Sequence, residues 1–322
     1  MQNSPHGETV VSVVIPCYQQ AHFLGAAIES VQQQTHPRCE IIIVDDGSPD
    51  DTYRVTKNYP DVLYTRQRNQ GLSASRNTGF QQSNGKFLVF LDADDRLLPE
   101  AISQGLACFA AHPECALVSG HYRLIDKAGH PRERFPQRPL EGDAYTTLLV
   151  RNYIGMNAAV MYRREAFQAS GGFDASLVSC EDYELYMRLA RSYQVATHPA
   201  IVAEYRTYEN SMSMDPSRMI RGVLQVFRLQ WPIIQGNPEY LRSYQAGILG
   251  NAKQAYRPLL GAIRRALKRG DYADVFMLSL RLAKHPGLLP QAFLLRRRAA
   301  SALSKCASGR TNVRCPARMG QR

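Results

Sequence analysis

The chain has 322 residues, 44% hydrophobic and 21% charged, enough to bury a large α/β core with an appendage, and this composition excludes a disordered or fibrous protein. Its seven cysteines (Cys17, Cys39, Cys108, Cys115, Cys180, Cys306 and Cys315) are odd in number and form no CxxC pair, so neither a disulfide framework nor a zinc site is expected. The net charge of +11 is uneven: residues 251–322 hold 16 Lys or Arg against 2 Asp or Glu, a net of +14, which leaves −3 for residues 1–250.

Met1–Thr9 is polar, and the apolar stretch after it, Val10–Ile15, is too short for a signal peptide. No apolar run approaches the roughly 18 residues of a spanning helix. A cytoplasmic protein is expected, with peripheral attachment to the inner face of a membrane as an option for its basic end.

The first hundred residues alternate short apolar runs with helix-like stretches, the pattern of strands joined by crossover helices in a mostly parallel sheet. Val10–Ile15 reads as a first strand stopped by Pro16, and Phe23–Gln33 sets Leu24, Ala27, Ile28 and Val31 on one helical face. Glu40–Val44 is a continuous apolar run suited to a strand covered on both sides, and it ends at Asp45-Asp46-Gly47-Ser48. Asp50-Asp51-Thr52 caps a helix running to about Asn58, Val62–Thr65 is a short strand, and Leu72–Ser83 is a helix. Lys86–Leu91 forms another buried strand, ending at Asp92-Ala93-Asp94-Asp95. Pro99–His112 follows as a helix, Ala116–Leu124 as a strand, and Asp126–Gly142 as a polar, Pro-rich loop. Asn157–Tyr162 is expected to be a strand, with Arg164–Ser170 and Glu181–Ser192 as helices.

Beyond Asp215 the texture becomes helical. Leu259, Leu260, Ile263 and Leu267 fall on one face, as do Tyr272, Val275, Phe276, Ser279 and Leu282. An α/β domain over 1–214 is therefore expected, followed by a basic, mainly helical region over 215–322.

In open parallel sheets, ligands bind beyond the carboxyl ends of the strands, so the site is expected at Pro16–Tyr18, Asp45–Ser48 and Asp92–Asp95. Asp92 and Asp94, one residue apart at a strand exit, can converge on one hard divalent cation, and that cation can hold a diphosphate. An acidic turn capping the helix from Pro99 is the plainer reading of the same three residues. A second acidic strand end, Asp46, alongside favours the cation.

Six blocks in order extend this: Val13-Val14-Ile15-Pro16-Cys17-Tyr18, Ile43-Val44-Asp45-Asp46-Gly47-Ser48, Arg68-Asn69-Gln70-Gly71-Leu72-Ser73-Ala74-Ser75-Arg76-Asn77, Phe90-Leu91-Asp92-Ala93-Asp94-Asp95, Gly171-Gly172-Phe173-Asp174 and Glu181-Asp182. Over residues 10–213 the chain resembles family 2 of the inverting glycosyltransferases, which have the GT-A fold. The resemblance implies a nucleotide-diphosphate sugar as donor, commonly UDP-linked, and a saccharide or lipid-linked acceptor in cell-surface polysaccharide or glycan synthesis. It places Tyr18 against the donor base, Asp46 as the acid bonded to that base, Pro16 among the donor-binding residues, and Asn69, Gly71, Arg76 and Asn77 around the donor pocket. Arg76 is read either as facing phosphate or as a solvated arginine. Asp92 matches the acid at the ribose or cation and Asp94 the direct ligand of Mn2+ or Mg2+. Asp182 matches the catalytic base, since inverting transfer needs one carboxylate to deprotonate the acceptor. Glu181 and Asp182 also suit the positive end of a helix without any catalysis.

One position departs from the family. Where members often carry a histidine, in a pattern like Tyr-Arg-x-His-x-x-Ser, this chain has Tyr208, a poor metal ligand, so weak cation binding is expected. The basic segment, with Arg296-Arg297-Arg298 after Ala292–Leu295, suits an anionic membrane surface or a solvated helical face. No nucleic-acid motif accompanies it, and no nucleic-acid partner is expected. Two rivals stand beside the transferase. A nucleotidyltransferase would want a glycine-rich, lysine-containing loop, absent from Pro16–Ala21, whereas a non-catalytic nucleotide-sugar-binding or membrane-docked scaffold protein agrees with Tyr208.

Overall fold

The runs of branched apolar residues become the inner strands of a single sheet. The computed structural model describes residues 10–132, 142–208 and 215–283, with a few isolated positions besides. In its α/β part the elements are β1 (Val11–Cys17), α1 (Ala21–Gln32), β2 (Cys39–Asp45), α2 (Thr52–Thr56), β3 (Leu63–Arg66), α3 (Leu72–Gln82), β4 (Phe87–Phe90), β5 (Arg96–Leu97), α4 (Ala101–Ala111) and β6 (Cys115–Ile125). There follow α5 (Ala144–Val150), β7 (Val160–Arg163), α6 (Arg164–Ala169), α7 (Glu181–Ser192) and β8 (Gln194–Arg206). The strand order is β3-β2-β1-β4-β7-β6-β8-β5. Pairing is parallel from β3 through β4, antiparallel on both sides of β7, parallel between β6 and β8, and antiparallel at β5.

Helices cover both faces of the parallel part. Val11, Val13 and Ile15 face one way, into a core shared with Leu24, Ile28 and Val31 of α1. Val14 faces the other way, under α3. At Gly79 a Cβ would stand 2.2 Å from Val14 Cγ1, so only glycine lets α3 lie this close to the sheet. Behind the carboxyl end of β4, Phe90 packs its ring 5.1 Å from Phe167 and 4.9 Å from Phe173, a rigid apolar floor for the loops above.

Several boundaries differ from expectation. β1 continues through Pro16 to Cys17. It can do so because β4 stops pairing at Phe90, opposite Val14, so along that edge Pro16 has no ladder bond to lose. Helix α1 starts at Ala21, two residues early, where Asp50 Oδ2 accepts the Ala21 N–H at 3.0 Å. The strand expected over Asn157–Tyr162 is instead a 3₁₀ turn, Asn157–Ala159, leading into β7. Part of the expected loop Asp126–Gly142 lies outside the described residues.

By contact density the described backbone forms two units, one drawn from residues 10–144 and 153–208, the other from 145–152 and the helices after 215. The second holds α5, α8 (Pro216–Ile234), α9 (Pro238–Arg269) and α10 (Tyr272–Ala283). Phe227, Leu241, Tyr244 and Ile248 are buried within it, and Asn237 caps α9 by accepting the Glu239 and Tyr240 N–H groups. Leu267, Tyr272 and Phe276 of the expected helical stripes are exposed; the side chains of Leu259, Leu260, Ser279 and Leu282 lie outside the described residues, as does most of 292–298. Among the described residues no helix is long and apolar enough to cross a membrane.

Candidate functional site

Parallel register brings the strand ends side by side. Cys17 pairs with Asp45, and the Asp46 N–H donates to the Cys17 carbonyl at 2.9 Å. Tyr18, the next residue, is 44% exposed and free to present its ring as a flat face. Asp46 is buried and gathers the 67–71 loop: Oδ1 accepts Gln67 Nε2 at 2.8 Å and the Gln70 N–H at 2.9 Å, and Oδ2 accepts the Gly71 N–H at 2.8 Å. Gly71 has φ +89° as the residue preceding α3, a conformation costly for other residues. Asn69 is exposed at the crest of that loop.

The second half of the site converges on Arg76, in the second turn of α3. Its side chain is only 2% exposed, and it donates Nη1 to Glu181 Oε1 at 2.6 Å and Nη2 to Asp92 Oδ1 at 2.7 Å, with the guanidinium 5.2 Å from the Phe173 ring centroid. The solvated reading of this arginine does not hold. Burial works against its charge, but Asp92, Glu181 and Asp182 outweigh that and keep it protonated. One side chain thus ties the exit of β4 to the start of α7. Gly71 immediately precedes α3 and Arg76 lies in its second turn, so the Asp46 loop and the Asp92–Glu181 bridge are both carried by the first turns of one helix.

Asp182 sits beside this bridge, half-buried, accepting the Tyr183 N–H at 2.7 Å. Burial, then the Glu181 charge, pushes its carboxyl up to about 7, against the opposing pull of Arg76 and the Tyr183 N–H. Cys180, just before the acid pair, has φ +61°, a left-handed conformation that costs a non-glycine residue on the order of 1–3 kcal/mol. The strain turns the chain so that Glu181 meets Arg76 at the first position of α7.

The acidic loop is held from β8. The Asp95 carboxylate is buried and accepts the Arg206 N–H at 2.8 Å, while Arg206 Nε donates to the Asp94 carbonyl at 2.7 Å. Tyr208 donates its phenol to Asp94 Oδ2 at 2.9 Å and accepts Gln20 Nε2 at 2.9 Å. Burial and the Asp92 charge raise the Asp94 carboxyl to about 6, and burial with the Asp94 charge raises Asp95 well above the usual carboxylate range.

This donor set suits a hard cation. Asp92 and Asp94 supply carboxylate oxygen only, as Mg2+ and Mn2+ prefer. Among the described residues no group of three or more His, Cys, Asp or Glu is placed to hold a metal ion.

Other expected residues are placed differently. Pro16 is buried inside β1 opposite Val44. Asn77 turns to the backbone of Phe173, donating Nδ2 to its carbonyl at 2.8 Å and accepting its N–H at 2.9 Å, and so pins the Gly171–Asp174 segment onto α3. Four residues were missed: Gln20, Gln67, Glu181 as the partner of Arg76, and Arg206. A polar side chain binding backbone or another side chain far along the chain leaves no periodic mark, although the Glu181-Asp182 pair offered a signal for Glu181.

A family model described as Glycosyl transferase family 2 matches residues 12–171. Chondroitin synthase of Escherichia coli is 30% identical over 186 residues, which cover 56% of this chain and 26% of that protein. Among solved structures, the mannosyltransferase PcManGT from Pyrobaculum calidifontis in complex with GDP-Man and Mn2+ gives a TM-score of 0.59 at 18% identity, covering 94% of this chain and 88% of its own. The structure of S. aureus TarS 1–349 in complex with UDP-GlcNAc gives 0.54 at 14% identity, covering 85% and 92%.

Proposed function

Because the chain belongs to glycosyl transferase family 2 and carries the GT-A fold, we propose that it transfers a sugar from a UDP-linked donor to a saccharide or lipid-linked acceptor, with inversion, in the assembly of a cell-surface polysaccharide or glycan. The observation that carries this reading is the Arg76 bridge: it gathers Asp92, Glu181 and Asp182, delivered by β4 and α7, at the carboxyl edge of the parallel strands. TarS with UDP-GlcNAc and PcManGT with GDP-Man support a nucleotide-sugar donor, and chondroitin synthase supports a saccharide product.

In this mechanism the base lies against Tyr18. A carboxylate offers about four acceptor positions, and Asp46 uses three on Gln67, Gln70 and Gly71, so one remains for a base N–H. Pro16 and Cys17 end the strand that sets Tyr18, Asn69 and Gly71 rim the pocket, and Asn77 holds the Phe173 segment against Arg76. Asp92 and Asp94 would hold Mn2+ or Mg2+, which when bound neutralises the charge of the departing diphosphate. Asp182 takes the proton of the acceptor hydroxyl. The acceptor oxygen then bonds to the anomeric carbon from the face opposite the diphosphate, whose oxygen leaves with the electron pair of the broken bond. A carboxyl near 7 is matched to this task, being about half ionised at neutral pH and still basic enough to accept a proton. The +14 charge of residues 251–322 supports a place on an anionic membrane surface, where lipid-linked acceptors reside.

The test is a nucleotide-sugar panel screened with Mn2+ for thermal stabilisation, followed by transfer assays of Asp182→Asn. Donor binding should survive and transfer should vanish, and the anomeric proton coupling of the product should report inversion. Undiminished transfer by the variant ends this mechanism. The phenol on Asp94 favours a second reading, a non-catalytic binding or scaffold protein. That reading requires donor binding without turnover under every acceptor tried.

A further inference from the structure

Three bonds from the end of β8 clamp the acidic loop. Two act on Asp95 and on the Asp94 carbonyl through Arg206, and these fix the loop as a whole. The third, from the Tyr208 phenol, holds Asp94 Oδ2, an oxygen of a side chain assigned here to the cation. Tyr208 itself is set from two sides. Its ring lies 5.7 Å from Phe23, which in turn lies beneath the Arg206 guanidinium at 4.6 Å, and its oxygen accepts Gln20 Nε2 at 2.9 Å. A phenol has one proton to give. With Gln20 donating into the oxygen, that proton is directed to Asp94.

We propose that Tyr208 is a positioning residue which, through its phenol on Asp94 and the Gln20 amide behind it, sets the affinity of the acidic loop for a divalent cation. The inference rests on the cation-dependent reading above. Holding Oδ2 fixes the rotation of the Asp94 carboxylate before a cation arrives, against the repulsion of Asp92 that would otherwise turn it away. The phenol is not a ligand: it is a neutral oxygen whose proton is committed to Asp94. Outer bonds of this kind to a ligating group typically account for about 10–100-fold in metal affinity.

The experiment measures Mn2+ binding to the full chain by the paramagnetic resonance signal of the free ion, without donor and then with UDP, for wild type, Tyr208→Phe, Gln20→Leu and Asp94→Asn. Asp94→Asn should abolish binding, and Tyr208→Phe, which keeps the ring packing on Phe23, should weaken it about tenfold or more. Gln20→Leu should weaken it less. The double variant should be no worse than Tyr208→Phe alone, since both act through one hydrogen bond. In transfer assays the Mn2+ concentration that gives the half-maximal rate should rise in parallel. Wild-type Mn2+ affinity in both Tyr208→Phe and Gln20→Leu overturns the proposal. Equal failure of wild type and Asp94→Asn to bind Mn2+ overturns instead the cation reading on which it stands.

Discussion

Replacing Arg76 with Met tests the core of the site. Methionine approximates the volume, so the change removes charge and hydrogen bonds without opening a large cavity. The structure shows two ion pairs of 2.6 and 2.7 Å on a side chain 2% exposed, but the partners differ: the Glu181 side chain is 8% exposed and Asp92 33%. Breaking a buried pair leaves an uncompensated charge and costs about 3–5 kcal/mol, whereas a partner as exposed as Asp92 contributes about 1 kcal/mol or less. The loss should therefore be about 3–5 kcal/mol, nearly all on the Glu181 side. For a chain of this size that is a fall in Tm of roughly 10 °C. Calorimetry is the suitable assay, because the single tryptophan, Trp231, lies in the helical unit and reports that unit. A Tm within about 2 °C of wild type, against the cost expected for a buried pair, would refute the reasoning.

Asp182→Asn should retain nucleotide-sugar binding by calorimetric titration and lose about 10²–10⁴-fold in kcat, the usual contribution of a general base. In the wild type, kcat should rise with pH through about 7, because a base works only when unprotonated and burial with Glu181 places Asp182 there; a flat profile between pH 6 and 8 contradicts the assignment. Mn2+ affinity should fall as pH drops through about 6, where Asp94 takes up a proton and ceases to be a ligand, and titrations at pH 5 and 7.5 check it. Asn77→Ala strands the Phe173 N–H and carbonyl and should cost about 1–3 kcal/mol in urea denaturation.

The parallel half of the sheet was legible because β1, β2 and β4 are continuous apolar runs, each ending close to a polar or acidic cluster, so strand and site edge came from one signal. β8 was not. Its thirteen residues contain Gln194, Thr197, His198, Pro199 and Glu204, its pairing with β6 shifts register three times, and its apolar run is confined to Ala200–Ala203, so no alternation marks its full length. That omission hid Arg206 as the holder of the acidic loop, although Tyr208 was noticed by its departure from the family pattern. Asp46 was legible as an acid at a strand end, but not its partners, because two of them are backbone N–H groups of Gln70 and Gly71 and any sequence carries those.

A buried ion pair is weak ground for stability, since apolar residues of similar volume often serve as well. Arg76 is better understood by how it divides three neighbouring acids. Its hydrogen bonds go to Asp92 and Glu181, and it reaches Asp182 only as a nearby charge. Asp92 is thereby held as an acceptor at the strand exit and Glu181 as an anchor for α7. Asp182, which accepts the Tyr183 N–H, has its carboxyl raised to about 7 by burial and then by the Glu181 charge. Two adjacent acids in one helical turn thus stand differently: Glu181 is hydrogen-bonded to the guanidinium, and Asp182 is half-buried without that bond. Cys180, in the left-handed region at φ +61°, is the residue at which the chain turns into α7 and presents Glu181 and Asp182 in its first turn.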